Sequence, residues 1–282
     1  MNPAAPKHTE ALKVSTAVVT AWRDTRAALS ALLTPALVMV LILWTLFIVK
    51  VATRALLILN GMTTSAELVG LPYGLAVVFF LTPYAIAVHR FIILGEKTTS
   101  YRIASTEPRF RRFFGWSLVF LVLSSATQQS FDVDVVLGGP VLALAVLAFV
   151  FAIRAIVLYP AVAVDAPGAN WRQAIADTRG HAWRILFIIL GAILPLVIVA
   201  LIVWLLVAGV AMSVLSFIIG DAEMGPGSLW VMLLLLYLFV VVGLLLAYTL
   251  LVVIASRLYQ RIGVRVKGVA NNAGNVASEQ QT

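Results

Sequence analysis

The run LSALLTPALVMVLILWTLFIV, residues 29–49, decides the fold class because it is long, apolar and free of charged side chains. An α-helix rises about 1.5 Å per residue, so about 20 residues cross the hydrocarbon core of a bilayer. Lys50 and Arg54 follow the run directly. The stretch therefore predicts a membrane-spanning helix that returns to the aqueous phase near residue 50.

The composition of the whole chain agrees with that prediction. Of its 282 residues, 62% are hydrophobic and only 11% are charged, whereas a soluble domain has about 45–50% apolar and about 25% charged residues. A soluble fold of this length has too little interior to bury the apolar excess. We therefore predict an all-α, polytopic membrane helical bundle. The absence of cysteine excludes disulfides and thiolate metal sites.

Apolar runs of spanning length occur six times, which predicts six transmembrane helices. They cover about residues 29–49, 71–88, 113–131, 135–164, 185–220 and 229–255. The fourth and fifth runs are longer than a bilayer requires, so they must tilt, break or extend into the interface. Pro160 and Pro195 are the candidate break points, because proline removes a helical hydrogen bond.

The basic residues predict the orientation of these spans. The connections between spans alternate between rich and poor in Lys and Arg, and all but two of the 20 Lys and Arg residues lie on one side. The two exceptions are Lys50 and Arg54. Basic connections stay in the cytoplasm, so both termini are predicted to be cytoplasmic. The formal net charge of +8 is then mainly a topology signal, and it does not indicate nucleic-acid binding.

These features divide the chain into three parts. Residues 1–28 form a cytoplasmic segment with an amphipathic helix, in which Val14, Val18, Trp22 and Leu29 share an apolar stripe and Asp24 faces away. Residues 29–260 form the six-span domain, and residues 261–282 are predicted to be a disordered cytoplasmic tail.

Two further cytoplasmic segments follow the same plan of an amphipathic helix leading into a span. Such helices lie at the membrane interface, with Trp and Arg as anchors. One is TTSYRIASTEPRFRRFFGW, residues 98–116, and the other is YPAVAVDAPGANWRQAIADTRGHAWRILFII, residues 159–189. Ala-Trp-Arg occurs at 21–23 and 182–184, and Asp-Thr-Arg at 24–26 and 177–179. These echoes suggest three related units, although short matches also arise by chance in a biased composition.

The stretch 159–189 is the most varied part of the chain, with Asp, Arg, Asn, Gln, His and two Trp residues between two apolar runs. Pro167 and Gly168 predict a turn, and Asn170 predicts the N-cap of a helix. Asp177 and His181 are four residues apart and can pair on that helix. The candidate contacts to lipid headgroups or to a partner are Arg154, Asp165, Arg172, Asp177, Arg179, His181 and Arg184. The alternative is that the stretch is only a structural collar.

Motifs for enzymatic chemistry are missing from the sequence. It has no phosphate-binding Gly-rich loop, no His-Glu-x-x-His zinc motif and no Gly-x-Ser-x-Gly elbow. We therefore predict no enzymatic activity and no cofactor. Arg154 lies inside the fourth predicted span, where it either lines a transport cavity or extends to the cytoplasmic headgroups.

Four motifs carry a resemblance to a known family. They are AWRDTRAALSALL at 21–33, LGEKTTSYRIASTEPRFRRFFGW at 94–116, the stretch 159–189, and IASRLYQRI at 254–262. With its hydropathy, the chain resembles the YciC-like six-span bacterial inner-membrane proteins, which are related to the membrane domain of some glycerophosphodiester phosphodiesterases. The resemblance implies an inner-membrane location and a link to envelope upkeep, with no assigned reaction. It does not imply phosphodiesterase activity, because the chain has no room for the catalytic domain.

Two functions follow from these observations. The first is a non-catalytic, multi-pass inner-membrane protein that binds anionic lipids or a membrane-protein partner at its cytoplasmic face. The alternative is a transporter, permease or lipid-handling protein of unknown substrate.

Overall fold

A computed structural model describes residues 13–128, 135–219 and 226–268, and within these ranges the chain forms ten α-helices and no β-strand. The helices are α1 (Val14–Ala31), α2 (Leu33–Leu59), α3 (Thr63–Leu68), α4 (Gly70–Leu94), α5 (Pro108–Gln128), α6 (Val135–Ala155), α7 (Leu158–Ala163), α8 (Trp171–Asp177), α9 (Ala182–Ile219) and α10 (Pro226–Ile262). The predicted all-α class is therefore confirmed.

Four helices in the described ranges are long and apolar enough to cross a membrane, namely α2, α4, the Ala182–Val207 part of α9 and the Leu236–Ile262 part of α10. Many of their large apolar side chains are exposed, such as Leu194 at 55% and Leu206 at 63% on α9. Such a surface is stable against lipid tails and not against water. The predicted third and fourth spans correspond to α5 and α6, and they remain predictions.

Two helix boundaries differ from the sequence-based ones. Helix α2 continues past Lys50 and Arg54 to Leu59, so the helix is longer than the predicted span, whose end near residue 50 stays a prediction. Lys50 is accommodated on the helix because its ammonium group lies 4.6 Å from the centre of the Tyr73 ring on α4. Helix α9 also runs unbroken through Pro195. The fourth run does break, at a turn between α6 and α7 a few residues before Pro160.

Helices α4 and α10 form the centre of the bundle and run parallel to each other. Three pairs of side chains join them in the same sequence order, Tyr73 with Tyr237, Tyr84 with Thr249, and His89 with Ser256, at 3.3, 2.8 and 2.7 Å. Interhelical hydrogen bonds of this kind hold apolar helices in register where lipid offers no competing partner.

The other long helices pack on two sides of this central pair. Helix α2 contacts both α4 and α10 on one side. On the other side α5 contacts α4, α6 contacts α5, and α9 contacts both α6 and α10. Helices α4, α5, α6, α9 and α10 therefore close a five-helix ring.

Helix α1 packs across α9 and α10, and one of its faces was predicted wrongly. Asp24, which the sequence placed away from the apolar stripe, is only 7% exposed. Its carboxylate accepts a hydrogen bond from Nε of Arg257 at 2.6 Å. The long arginine side chain of α10 reaches the carboxylate, so the buried charge of Asp24 is paired with a partly exposed guanidinium.

Candidate functional site

The basic segments, which are far apart in sequence, come together at one end of the bundle. We call this the basic end and define it as residues 13–31, 90–112, 154–184 and 257–268. The Asp24–Arg257 pair joins the first and last of these segments. Nε2 of Gln260 donates to the carbonyl of Ile92 at 3.1 Å and joins the last to the second. The side-chain contacts thus place four basic segments on the same side, as the alternation of charge predicts.

The stretch 159–189 is anchored to the end of α6. Thr178 is fully buried, and its hydroxyl donates to the carbonyl of Arg154 at 2.8 Å. Asn170 accepts a hydrogen bond from the backbone N–H of Arg172 at 3.0 Å, so the predicted N-cap of α8 is confirmed. This short helix is therefore fixed to the bundle by its cap and by Thr178.

Asp177 holds the C-terminal turn, which we define as residues 263–268. Its carboxylate accepts the backbone N–H groups of Arg265 and Val266, each at 3.0 Å. Gly168 lies against the same turn, because a Cβ at that position would be 2.2 Å from the carbonyl oxygen of Arg265. The predicted disordered tail thus begins with a packed turn, and residues 269–282 lie outside the described residues.

His181 does not pair with Asp177, so that prediction is wrong. Nδ1 of His181 lies 3.2 Å from the carbonyl oxygen of Arg179. Both carboxylate oxygens of Asp177 accept backbone N–H groups of the C-terminal turn instead. Lys267 of that turn donates to the carbonyl of Gln260 at 2.7 Å. Burial lowers the pKa of Lys267, although nearby Asp177 acts against this shift.

Two further carboxylates at the basic end pair with arginines that connect its segments. Asp165, in the left-handed backbone region with φ 53°, pairs with Nη2 of Arg109 at 2.5 Å. Glu96 pairs with Arg90 through two bonds of 2.6 Å, and Arg90 also donates to the carbonyl of Ala163 at 3.3 Å. These arginines cross-link the loops and are not available to an external anion.

The three arginines within the stretch 159–189 differ from Arg90 and Arg109, because they form no ion pair within the described residues. Arg172, Arg179 and Arg184 are exposed, and within the described residues none of them forms a salt bridge. The guanidinium of Arg172 lies 5.4 Å from the centre of the Trp171 ring. Trp183 is 74% exposed. Exposed tryptophan beside exposed arginine is typical of a surface at the headgroup level.

Arg154 lies in the last turn of α6 and is partly buried. Its Nε atom is buried and has no hydrogen-bond partner within the described residues. It does not line the large cavity of the bundle.

That cavity lies inside the five-helix ring and has a volume of about 430 Å³. Its walls are mostly apolar side chains of α4, α5, α6, α9 and α10, and α7 lies at one end. Four lining residues carry polar groups: His89, Ser117, Tyr159 and Tyr248. Sequence analysis missed this site. Its only sequence signal is a histidine and tyrosines inside apolar runs, which are common in helix packing.

Comparison with known proteins leaves the family open. No family model, curated protein or solved structure matches the chain. The functional argument therefore depends on the exposed arginines and on the cavity.

Proposed function

We propose that this chain is a non-catalytic, multi-pass protein of the bacterial inner membrane that binds anionic lipid headgroups at its basic end. In this proposal six helices span the membrane, both termini are cytoplasmic, and the YciC-like resemblance reflects a shared role in envelope maintenance. A membrane-protein partner with an acidic surface is the other anion that the same arginines fit.

The observation that supports this proposal is the distribution of charge at the basic end. Of its five described carboxylates, four are engaged: Asp24 by Arg257, Glu96 by Arg90, Asp165 by Arg109, and Asp177 by the C-terminal turn. The fifth, Glu107, is exposed and forms no salt bridge within the described residues. Arg172, Arg179 and Arg184 remain exposed beside Trp171 and Trp183. A basic residue near an anionic surface contributes about 1 kcal/mol of attraction. Three of them therefore favour an anionic headgroup by about 3 kcal/mol before the cost of ordering the lipid.

Native mass spectrometry of the purified chain tests this function. The protein is equilibrated with equal amounts of phosphatidylglycerol and phosphatidylcholine, and the retained lipids are counted. We expect the wild-type protein to retain mainly phosphatidylglycerol. In the variant with Arg172→Ala, Arg179→Ala and Arg184→Ala, the ratio of retained phosphatidylglycerol to phosphatidylcholine is expected to fall at least about ten-fold. A ten-fold change corresponds to about 1.4 kcal/mol, which is less than the attraction of about 3 kcal/mol given above.

A matched control replaces basic residues on the other side of the protein. Lys50→Ala with Arg54→Ala removes two positive charges from α2, away from the basic end. This variant should keep the preference for phosphatidylglycerol. If the triple variant retains phosphatidylglycerol as the wild-type protein does, the exposed arginines are not the lipid site.

The cavity favours a second candidate function, the handling of a lipid within the bundle. Ligand sites in proteins are usually concave, mostly apolar, and about 300–1,000 Å³ in volume, with a few polar groups that orient the ligand. The cavity of about 430 Å³ with His89, Ser117, Tyr159 and Tyr248 fits this description. Arg154, which the sequence offers as a transport residue, is not required by this version of the hypothesis.

A further inference from the structure

His89 is the polar residue of the cavity with the most defined geometry. It lies on α4, is 1% exposed and lines the cavity. Its Nδ1 is 2.7 Å from the hydroxyl oxygen of Ser256 on α10. Its ring also contacts Phe113, at 5.8 Å between ring centres. Within the described residues Nε2 has no hydrogen-bond partner.

The hydrogen bonds of Ser256 assign the role of each ring nitrogen. The Ser256 hydroxyl donates to the carbonyl of Val252 at 2.9 Å, as serines in apolar helices often do. Its oxygen is then an acceptor toward His89, so Nδ1 carries the proton and donates. Nε2 is left as an unprotonated acceptor. Because His89 lines the cavity, a ligand there that carries a donor group can hydrogen-bond to this acceptor.

The remaining walls define the rest of the ligand. Among the described residues no Lys, Arg, Asp or Glu lines the cavity, so these walls offer no counter-charge to an ionised headgroup. Most lining residues are aliphatic or aromatic, and the volume of about 430 Å³ is far larger than a single water molecule at about 30 Å³. Walls that are mostly apolar favour contact with an apolar molecule. The body of the ligand is therefore a hydrocarbon.

The wall formed by α6 gives the route of entry. Phe149 lines the cavity and is 54% exposed. Its neighbours Val146 and Leu147 are exposed as well, at 53% and 66%. The α6 wall of the cavity therefore carries exposed apolar side chains, and a hydrocarbon chain that enters along them crosses no polar layer.

We propose that the cavity binds a single-chain amphiphile whose uncharged polar end donates a hydrogen bond to Nε2 of His89. A long-chain alcohol is the simplest molecule with this chemistry. The inference rests on the lipid-handling function proposed above and names its substrate class. It does not depend on the exposed arginines of the basic end.

Photolabelling of the full chain in nanodiscs of phosphatidylcholine tests the inference. The probes are hexadecan-1-ol, hexadecanoic acid and hexadecane, each with a diazirine in the chain, and labelled peptides are mapped by mass spectrometry. We expect the alcohol to label cavity-lining segments at least about five-fold more than the alkane or the acid. An excess of unlabelled hexadecan-1-ol should compete the label away.

Two pairs of variants separate the cavity from its hydrogen bond. Ala152→Phe fills the cavity from α6 and should reduce alcohol labelling at least about five-fold, whereas Leu147→Phe on the exposed face should not. His89→Asn keeps an amide where Nδ1 lies, and so the contact to Ser256, but removes the acceptor at Nε2. It should lower alcohol labelling to the level of the alkane, and His89→Gln should restore part of it. Thermal unfolding of each variant checks that the fold is retained.

The outcomes distinguish the two levels of the proposal. If no probe labels the cavity, or unlabelled alcohol does not compete, both the lipid-handling function and this inference are wrong. If the alkane labels as strongly as the alcohol and is still blocked by Ala152→Phe, the cavity binds lipid but His89 does not select it. If the acid labels more strongly than the alcohol, the site selects charge and the proposed substrate class is wrong.

Discussion

The contact between Asp177 and the C-terminal turn gives the most specific prediction on the stability of the basic end. The carboxylate accepts the backbone N–H groups of Arg265 and Val266 at 3.0 Å. Because the partner residues lie 88 and 89 positions further along the chain, this side chain joins α8 to the end of α10. Asp177→Ala removes both acceptors and leaves the helix itself in place.

The expected magnitude follows from the number and exposure of these bonds. A hydrogen bond to a charged group contributes about 1.5–3 kcal/mol when buried. Asp177 is partly exposed, so solvent screens the bonds. We therefore take about 1 kcal/mol for each of the two donors, or about 2 kcal/mol in total. At about 1.4 kcal/mol per factor of ten, the turn should open about 30-fold more often.

Hydrogen exchange measured by mass spectrometry on the peptide covering residues 263–268 reads this opening directly. Asp177→Ala should accelerate exchange there about 30-fold and leave the central part of α10 unchanged. Asp177→Asn keeps a neutral acceptor and should have a smaller effect. Arg179→Ala is the matched control, because this exposed side chain lies nearby and its backbone carbonyl contact to His181 is retained.

Gly168→Ala perturbs the packing of the same C-terminal turn, because Gly168 lies against it. The added Cβ would lie 2.2 Å from the carbonyl oxygen of Arg265, so the backbone of the turn must move. We expect exchange in residues 263–268 to accelerate as it does in Asp177→Ala. Unchanged exchange in both variants would refute the conclusion that Asp177 and Gly168 hold the turn.

Three further predictions concern the rest of the molecule. Asp24→Asn should destabilise the fold by about 1 kcal/mol, because it weakens the partly buried ion pair with Arg257. A double-mutant cycle of these two residues, measured by thermal unfolding, should give a coupling energy of that size. Additive effects of the two substitutions would contradict this prediction. Burial raises the pKa of Tyr101 to about 12, so its neutral form stabilises the fold below pH 10 and this contribution is lost as the pH rises through about 12. The difference in absorbance at 295 nm between the wild-type protein and Tyr101→Phe should show this late titration. A titration midpoint near pH 10 would contradict the prediction. Reporter fusions at Gly61 and Gly138 should both report the outside face, and a cytoplasmic signal at Gly138 would exclude α5 and α6 as spans.

Local features of the structure were predictable from the sequence. The cap at Asn170 and the turn at Pro167 and Gly168 both form as expected. Each of these depends only on neighbouring residues, since a cap bonds an N–H two or three positions away and a turn spans four residues. The four confirmed apolar helices are also local, because a run of apolar residues needs no partner to prefer lipid.

The two errors in side-chain pairing involve partners that are distant in the sequence. Asp24 was placed on the exposed side of α1 because helical periodicity does not contain Arg257, which lies 233 residues away. The pair of Asp177 and His181 is favourable on an isolated helix. In the folded chain Asp177 instead accepts two backbone N–H groups of the C-terminal turn, which are fixed in place by the packing of that turn.

The sequence by itself determined that the chain belongs in a membrane, because the free energy of burying apolar residues in lipid depends on composition and run length. It also indicated which segments share a side, because charge alternates along the chain. Only the tertiary structure decided which charged side chains bond to other parts of the protein and which stay exposed, since that depends on distances between helices. It alone revealed the cavity and the free nitrogen of His89, because an empty volume depends on how five helices pack together and cannot be read from any one of them.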